Sequence, residues 1–250
     1  MRERPKLITL GGSLNLFQHP VSAVSSIAKE VGATLLFDAA HQCGLIAGNA
    51  WENPLDLGAD VVTMSTYKSL GGPPGGAIVT NNAEIAEKID SIAFPGMTAN
   101  FDAAKSAALA VTMLDWKEFG KEYVAEMVLM SKTLASSLEE YDIPIFFGAL
   151  GHTQSHQFAV LAEEFGGGQR ASKLLRKSGF LACGIGLPVK DLVGDMNGLR
   201  FGTPELVRWG MQAKHSNKLA GLVAKALKGY NVSEQVSEWR RTFNKIHFVN

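Results

Sequence analysis

Four short apolar runs separated by stretches of helical spacing constrain this chain more than any other feature. They are Leu7 to Leu10, Ala33 to Phe37, Asp60 to Met64 and Ala77 to Thr80. Between the first two, Val21, Val24, Ile27, Ala28 and Val31 recur at the spacing of one helix face, and Gly32 follows as a stop signal. Apolar strands alternating with such a helix predict an α/β domain on a mainly parallel sheet. From Phe101 onward the pattern changes. A long helical stretch runs from Ala103 to about Glu140, with a break expected near Gly120. The apolar runs Ile143 to Phe147 and His156 to Leu161 follow, then a helix from Gln169 to Lys177 and a short strand at Leu199 to Phe201. Helical segments over 204–228 and 233–245 close the chain. This mixture predicts a second, smaller α+β domain, with the division at residues 1–115 and 116–250.

Charge and cysteine content remove several classes of function. Lys+Arg and Asp+Glu are each 24, so nothing points to nucleic acid or an anionic membrane as partner. The polar start Met1-Arg2-Glu3-Arg4-Pro5 is no signal peptide, and no apolar run reaches membrane-spanning length. Cys43 and Cys183 are too few and too far apart for a disulfide framework or a zinc site. Each sits among apolar neighbours and reads as a free buried thiol in a reducing, cytoplasmic compartment.

The chemistry collects at strand ends. Asp38 closes the run Leu35-Leu36-Phe37, where a carboxylate is costly unless a positive or donor group meets it. Lys68 lies thirty residues later, just beyond another apolar run, in Ser65-Thr66-Tyr67-Lys68-Ser69-Leu70-Gly71-Gly72. Ligands of open α/β sheets gather at the carboxyl ends of the strands, which places both residues at one crevice. A lysine amine and a carboxylate so placed are what pyridoxal phosphate (PLP) chemistry needs, the amine for the aldehyde and the carboxylate for the pyridine nitrogen. Ser65 and Lys68 also fit the S-x-x-K pattern of penicillin-binding enzymes, but no Ser-Asp-Asn or Lys-Thr-Gly follows. His152 and His156 are four apart without a metalloprotease glutamate between them, so no metal is expected there.

The wider motif narrows the reading. Phe37-Asp38-Ala39-Ala40-His41 with Gly44-Leu45-Ile46-Ala47-Gly48, then Ser65 to Gly76, resembles the serine hydroxymethyltransferase family. So do Pro5-Lys6-Leu7-Ile8, Phe94-Pro95-Gly96 and Gly198-Leu199-Arg200-Phe201-Gly202-Thr203-Pro204, all in family order along nearly the whole chain. The resemblance implies a fold-type I PLP enzyme, a homodimer or higher oligomer with its active sites at the subunit interface. It makes Lys68 the cofactor lysine and Asp38 the partner of the pyridine nitrogen, and sets His41 beside the ring hydroxyl. Ser13 and Ser65 would line the cofactor site, and Tyr67 would stand at a phosphate-binding position. Arg200 matches the arginine that grips the substrate's α-carboxylate, a task suited to its planar fork.

Departures from the family pattern shape the expected reaction. Tyr67 stands where the family has histidine, and Pro74 where it has arginine. After Phe94-Pro95-Gly96 the chain continues Met97-Thr98-Ala99-Asn100 in place of the family's Gln-Gly-Gly-Pro. These changes argue against a tetrahydrofolate-dependent serine reaction and bring aldolases and transaldolases forward. The expected function is cleavage or transfer at the Cα–Cβ bond of a β-hydroxy α-amino acid. A non-catalytic remnant or partner subunit is the alternative. The family's phosphate loop, stacking aromatic ring and catalytic glutamate have no match here, so an N-terminal complementary segment or subunit is expected, with the present residues as the C-terminal half of the PLP-binding domain plus the small domain.

Overall fold

A computed structural model describes residues 3–100 and 102–250; Met1 and Arg2 of the polar start, and Phe101 at the change of pattern, lie outside the described residues. The chain forms two compact units, Met1–Val124 with Asn250, and Ala125–Val249.

In the first unit, β1 (Leu7–Gly11), β2 (Thr34–Asp38) and β3 (Val61–Ser65) run parallel, and β4 (Gly76–Val79) returns antiparallel beside β3. The sheet order follows the chain order, β1-β2-β3-β4. Helix α1 (Val21–Val31) ends at Gly32, whose φ of 73° is the left-handed conformation that a glycine adopts without a Cβ penalty. Val21 and Ala28 of α1 pack on Leu35, Phe37 and Val62 of the sheet. Leu35 and Phe37 alternate with half-buried neighbours, so one face of β2 carries this core. Each of these two side chains contributes about 1.5–3 kcal/mol by its burial. The carboxylate of Asp60 ties the strands crosswise by accepting from the Leu35 amide at 2.7 Å. Two helices absent from the sequence reading complete this part, α2 (Cys43–Ala47) and α3 (Ala83–Ser91), with a π-turn over Ile92–Met97.

Helix α4 (Ala103–Glu139) is continuous, and the break expected near Gly120 does not occur. Gly120 serves a close approach instead: a Cβ there would meet the Trp116 ring at 2.7 Å. The buried indole of Trp116 lies over this gap and offsets the roughly 1 kcal/mol that glycine costs inside a helix.

The second unit is built on a three-stranded antiparallel sheet of order β5-β7-β6, from β5 (Gln157–Leu161), β6 (Cys183–Ile185) and β7 (Gly198–Gly202). Phe158 and Phe201 stack across it with ring centroids 5.1 Å apart. Helices α5 (Gly168–Lys177), α6 (Pro204–Arg208), α7 (Ser216–Leu227) and α8 (Ser233–Arg241) complete the unit. The run Ile143 to Phe147 adds only one bridge, Ile145 to Val160, because Phe147 turns left-handed at φ 59°. Cys43 is buried as expected, but Cys183 is exposed: it opens the edge strand β6, where one side has no neighbouring strand among the described residues. Among the described residues, no helix is long and apolar enough to cross a membrane.

Candidate active site

Three parallel strands end on one edge of the first sheet, at Gly11, Asp38 and Ser65. Gly11 pairs with Asp38 and has φ +92°; any side chain there would collide with the Asp38 carbonyl. Only glycine allows β1 to close on Asp38 in this way. The Asp38 backbone continues into a turn in which Ala39 N–H donates to Thr63 O at 2.8 Å. Its carboxylate Oδ1 accepts from the Ala40 amide at 2.9 Å, while Oδ2 has no hydrogen bond among the described residues. The turn thus fixes the carboxylate's direction and leaves one oxygen for a ligand.

Lys68 sits on a tight loop after β3 that is tied at several points. Thr66, which is buried, donates from Oγ1 to Pro73 O at 2.6 Å and from its amide to Gly75 O at 3.0 Å. Its carbonyl accepts from Gly72 N–H at 2.7 Å, and the Lys68 carbonyl accepts from Gly71 N–H at 2.9 Å. Trp116 of α4 donates its indole N–H to Leu70 O at 2.7 Å. Ser69 is buried and reaches the turn after Asp38, donating to His41 O at 2.6 Å and accepting from Gly44 N–H at 2.9 Å. A lysine on such a loop is aimed by its neighbours rather than left to sample solvent. Its Nζ lies 3.2 Å from His41 Nε2.

The site residues expected from sequence fall as follows. Asp38, His41, Ser65 and Lys68 stand on the strand ends and loops at this sheet edge, and Lys68 and His41 touch. Ser65 closes β3, and its carbonyl accepts from the Cys43 thiol at 3.4 Å. Burial pushes that thiol's pKa up, so Cys43 stays protonated as a donor. Ser13 follows the Gly11-Gly12 end of β1. Tyr67, beside Lys68 in this loop, is 52% exposed. Arg200 belongs to the second unit, in the central strand β7, between Ala159 of β5 and Cys183 of β6. Sequence reasoning missed Thr66, Ser69 and Trp116. Ser69 carries a faint signal as a small hydroxyl residue next to the lysine, whereas the Trp116 bond spans 46 residues and leaves none.

An amine held beside an imidazole and a carboxylate with one open oxygen, at the carboxyl end of parallel strands, suit an aldehyde-bearing heteroaromatic cofactor such as pyridoxal phosphate.

Residues 1–223 match the family described as Serine hydroxymethyltransferase. An alpha-methylserine aldolase from a Ralstonia species is 57% identical over 252 residues, covering 99% of this chain and 58% of that protein. A Variovorax paradoxus protein of the same description is 53% identical, over 98% of this chain and 56% of that protein. The serine hydroxymethyltransferase of Sulfolobus acidocaldarius is 39% identical, again over 98% of this chain and 58% of its own length. Among solved structures, the L-threonine transaldolase of Pseudomonas fluorescens in its internal aldimine state superposes with a TM-score of 0.87 at 26% identity, covering 98% of this chain and 57% of that one. The chain therefore spans less than three fifths of the length of these relatives.

Proposed function

The chain belongs to the serine hydroxymethyltransferase family, and from that premise we propose that it forms part of a PLP-dependent enzyme that breaks the Cα–Cβ bond of a β-hydroxy α-amino acid. The architecture is that of a fold-type I PLP enzyme. The observation that carries the reading is the Lys68 amine 3.2 Å from His41 Nε2, on a fixed loop at the sheet edge where Asp38 also ends its strand. Residues 1–115 act as the C-terminal half of the PLP-binding domain, and 116–250 as the small domain.

Bound pyridoxal phosphate supplies an electron sink for the pair left on Cα when the bond breaks. The chain's own residues bind and orient. Lys68 holds the cofactor's aldehyde carbon through its amine. Asp38, its carboxylate fixed by the Ala40 amide, keeps a proton on the pyridine nitrogen. His41, 3.2 Å from the Lys68 amine, would stand beside the cofactor's ring hydroxyl and could share a proton with that amine. Ser13 and Ser65 would line the site, and Tyr67 would donate to a phosphate oxygen, without the charge a protonated histidine would bring. Arg200 takes the substrate's α-carboxylate with two parallel N–H donors. The working enzyme is an oligomer that takes an amino-acid substrate.

Two observations favour aldol cleavage over folate-dependent transfer. The alpha-methylserine aldolases are 52–57% identical to the chain, while the serine hydroxymethyltransferases are 37–40% identical. Tyr67 and Pro74 also depart from the folate enzymes' pattern in the loop that carries Lys68. Cleavage of α-methylserine balances as alanine plus formaldehyde, with no acceptor required. The test compares kcat/KM of the complete enzyme for α-methylserine without tetrahydrofolate and for serine with it. Faster aldehyde release in the first assay supports the reading; a clear preference for the folate reaction overturns it. In parallel, borohydride should fix the cofactor on Lys68, and Lys68→Ala should abolish that label and lower turnover by about 10³-fold or more.

A further inference from the structure

Around the Lys68–His41 contact the structure closes a ring. Lys68 and Ser69 are joined through the chain; the Ser69 hydroxyl donates to the His41 carbonyl at 2.6 Å; the His41 ring reaches back to Lys68 Nζ at 3.2 Å. The single hydroxyl proton goes to His41 O, because a carbonyl only accepts. One Ser69 lone pair takes the Gly44 amide at 2.9 Å, and the Cys43 thiol lies 3.5 Å away on the remaining side. Ser69 is 3% exposed, so water does not replace a bond lost there. The fit is close as well as bonded: a Cβ on Gly44 would stand 2.7 Å from the Ser69 carbonyl oxygen and 3.0 Å from its Cβ. Glycine at position 44 is what lets the two loops approach this far.

We infer that Ser69 is a positioning residue of this site, whose hydroxyl locks the loop carrying His41 to the loop carrying Lys68 and so holds the imidazole against the lysine amine. The inference rests on Lys68 as the cofactor lysine. Without the hydroxyl, the two loops keep their own internal ties, Thr66 to Pro73 and Gly75 on one side and Gln42 to Ala39 on the other, but lose the bond that sets one against the other. The amine then spends less time in the orientation that attacks an aldehyde, and each percentage of misoriented time slows capture.

Ser69 also has a plain structural use. It caps the first turn of α2, whose own N-cap residue, Gln42, makes no side-chain cap bond. The experiment therefore needs a readout that loss of a buried cap does not move. In the complete enzyme stripped of cofactor, pyridoxal phosphate is added and the rise of its bound visible band is timed, with borohydride fixation and peptide mapping to confirm Lys68. The control is Ser25→Ala, which removes another buried serine-to-carbonyl bond of this unit, Ser25 Oγ to Gly58 O at 2.8 Å, away from the lysine loop. Both variants are expected to lose a similar few degrees of Tm. Ser69→Ala is expected to capture cofactor about tenfold more slowly or worse, Ser25→Ala within about twofold of the parent, and Ser69→Thr, which keeps the hydroxyl, to recover most of the rate. If Ser69→Ala does not fold, Ser69→Cys takes its place, since the thiol is a weaker donor and should give the same direction. Capture slowed no more by the Ser69 variants than by Ser25→Ala overturns the inference and leaves Lys68 untouched. A label on another lysine in the parent enzyme overturns the Lys68 reading, and the inference with it.

Discussion

In the second unit, α7 buries eight of its twelve residues, and Phe158 stacks on Phe201 at the middle of a sheet. In the first, α3 buries none, and Ile92, Phe94, Met97, Val111 and Leu114 are each more than half exposed. The second unit draws its order from apolar packing of its own. The first has a smaller core under β2 and adds polar ties, from Thr66, Ser69, Trp116 and Asp60, that join its loops to each other and to neighbouring strands and helices. The contrast suits a division of labour: one unit packs a large apolar core of its own, and the other sets Lys68 on loops tied by hydrogen bonds.

The largest effect should come from the core of the second unit. Phe158→Ala removes a ring that is fully buried and stacked, and should cost about 3–5 kcal/mol. Ile92→Ala or Val111→Ala, each exposed in the first unit, should stay within about 0.5 kcal/mol. Denaturant midpoints with unchanged slope measure both. Equal losses in the two places would break the comparison.

A smaller and more selective effect is expected at Arg200. Lysine keeps the charge but not the two-pronged donor, and a lost bond to a charged group is worth about 1.5–3 kcal/mol. Arg200→Lys should weaken amino-acid binding by about 10–100-fold and leave cofactor capture at the parent rate. Titration with glycine or α-methylserine, followed by the cofactor's visible spectrum, separates the two. Amino-acid affinity unchanged by the substitution would remove Arg200 from the carboxylate site.

What could be read from sequence follows the range of the interactions. The bounds of α1 were legible to the residue, because one apolar face and one glycine define them locally. Asp38 and Lys68 stood out because one closes an apolar run and the other follows just beyond one, before a glycine pair, patterns contained within a few residues. Gly120 misled for the opposite reason. Its effect depends on the neighbouring Trp116 filling the space a Cβ would take, and a propensity for breaking helices says nothing of that. Cys183 misled because apolar neighbours in sequence do not say whether a strand lies at an edge. The ties of Ser69 and Trp116 span 28 and 46 residues and became visible only when the loops were folded together.

The smallest effect is expected at Asp195, and it tests whether the second unit's order extends to its polar turns. Its carboxylate accepts from the amides of Gln169 at 2.9 Å, Arg170 at 3.1 Å and Met196 at 2.6 Å, which places it at the start of α5 where the helix has amides to spare. Donation from the Gln169 amide above all, with help from those of Met196 and Arg170 and the charge of Lys173, holds this carboxyl below the usual value. A carboxyl whose pKa is lower in the folded chain binds fewer protons there than in the unfolded one across the interval between the two values. Its contribution is therefore present in full above the unfolded value and is lost as the pH falls through the folded one. Asp195→Asn keeps the shape and one acceptor but removes the charge. The variant should melt slightly below the parent near pH 7, and the gap should close as the pH falls through the lowered folded-state value, where the parent's own carboxyl takes up its proton. Exposure to solvent keeps the effect modest, because water screens a charge in this position. Thermal melts of both proteins across that range, read by far-ultraviolet circular dichroism, provide the measurement. A gap of constant size at every pH would mean that Asp195 caps α5 by shape alone, and that charge contributes nothing to the order of this unit.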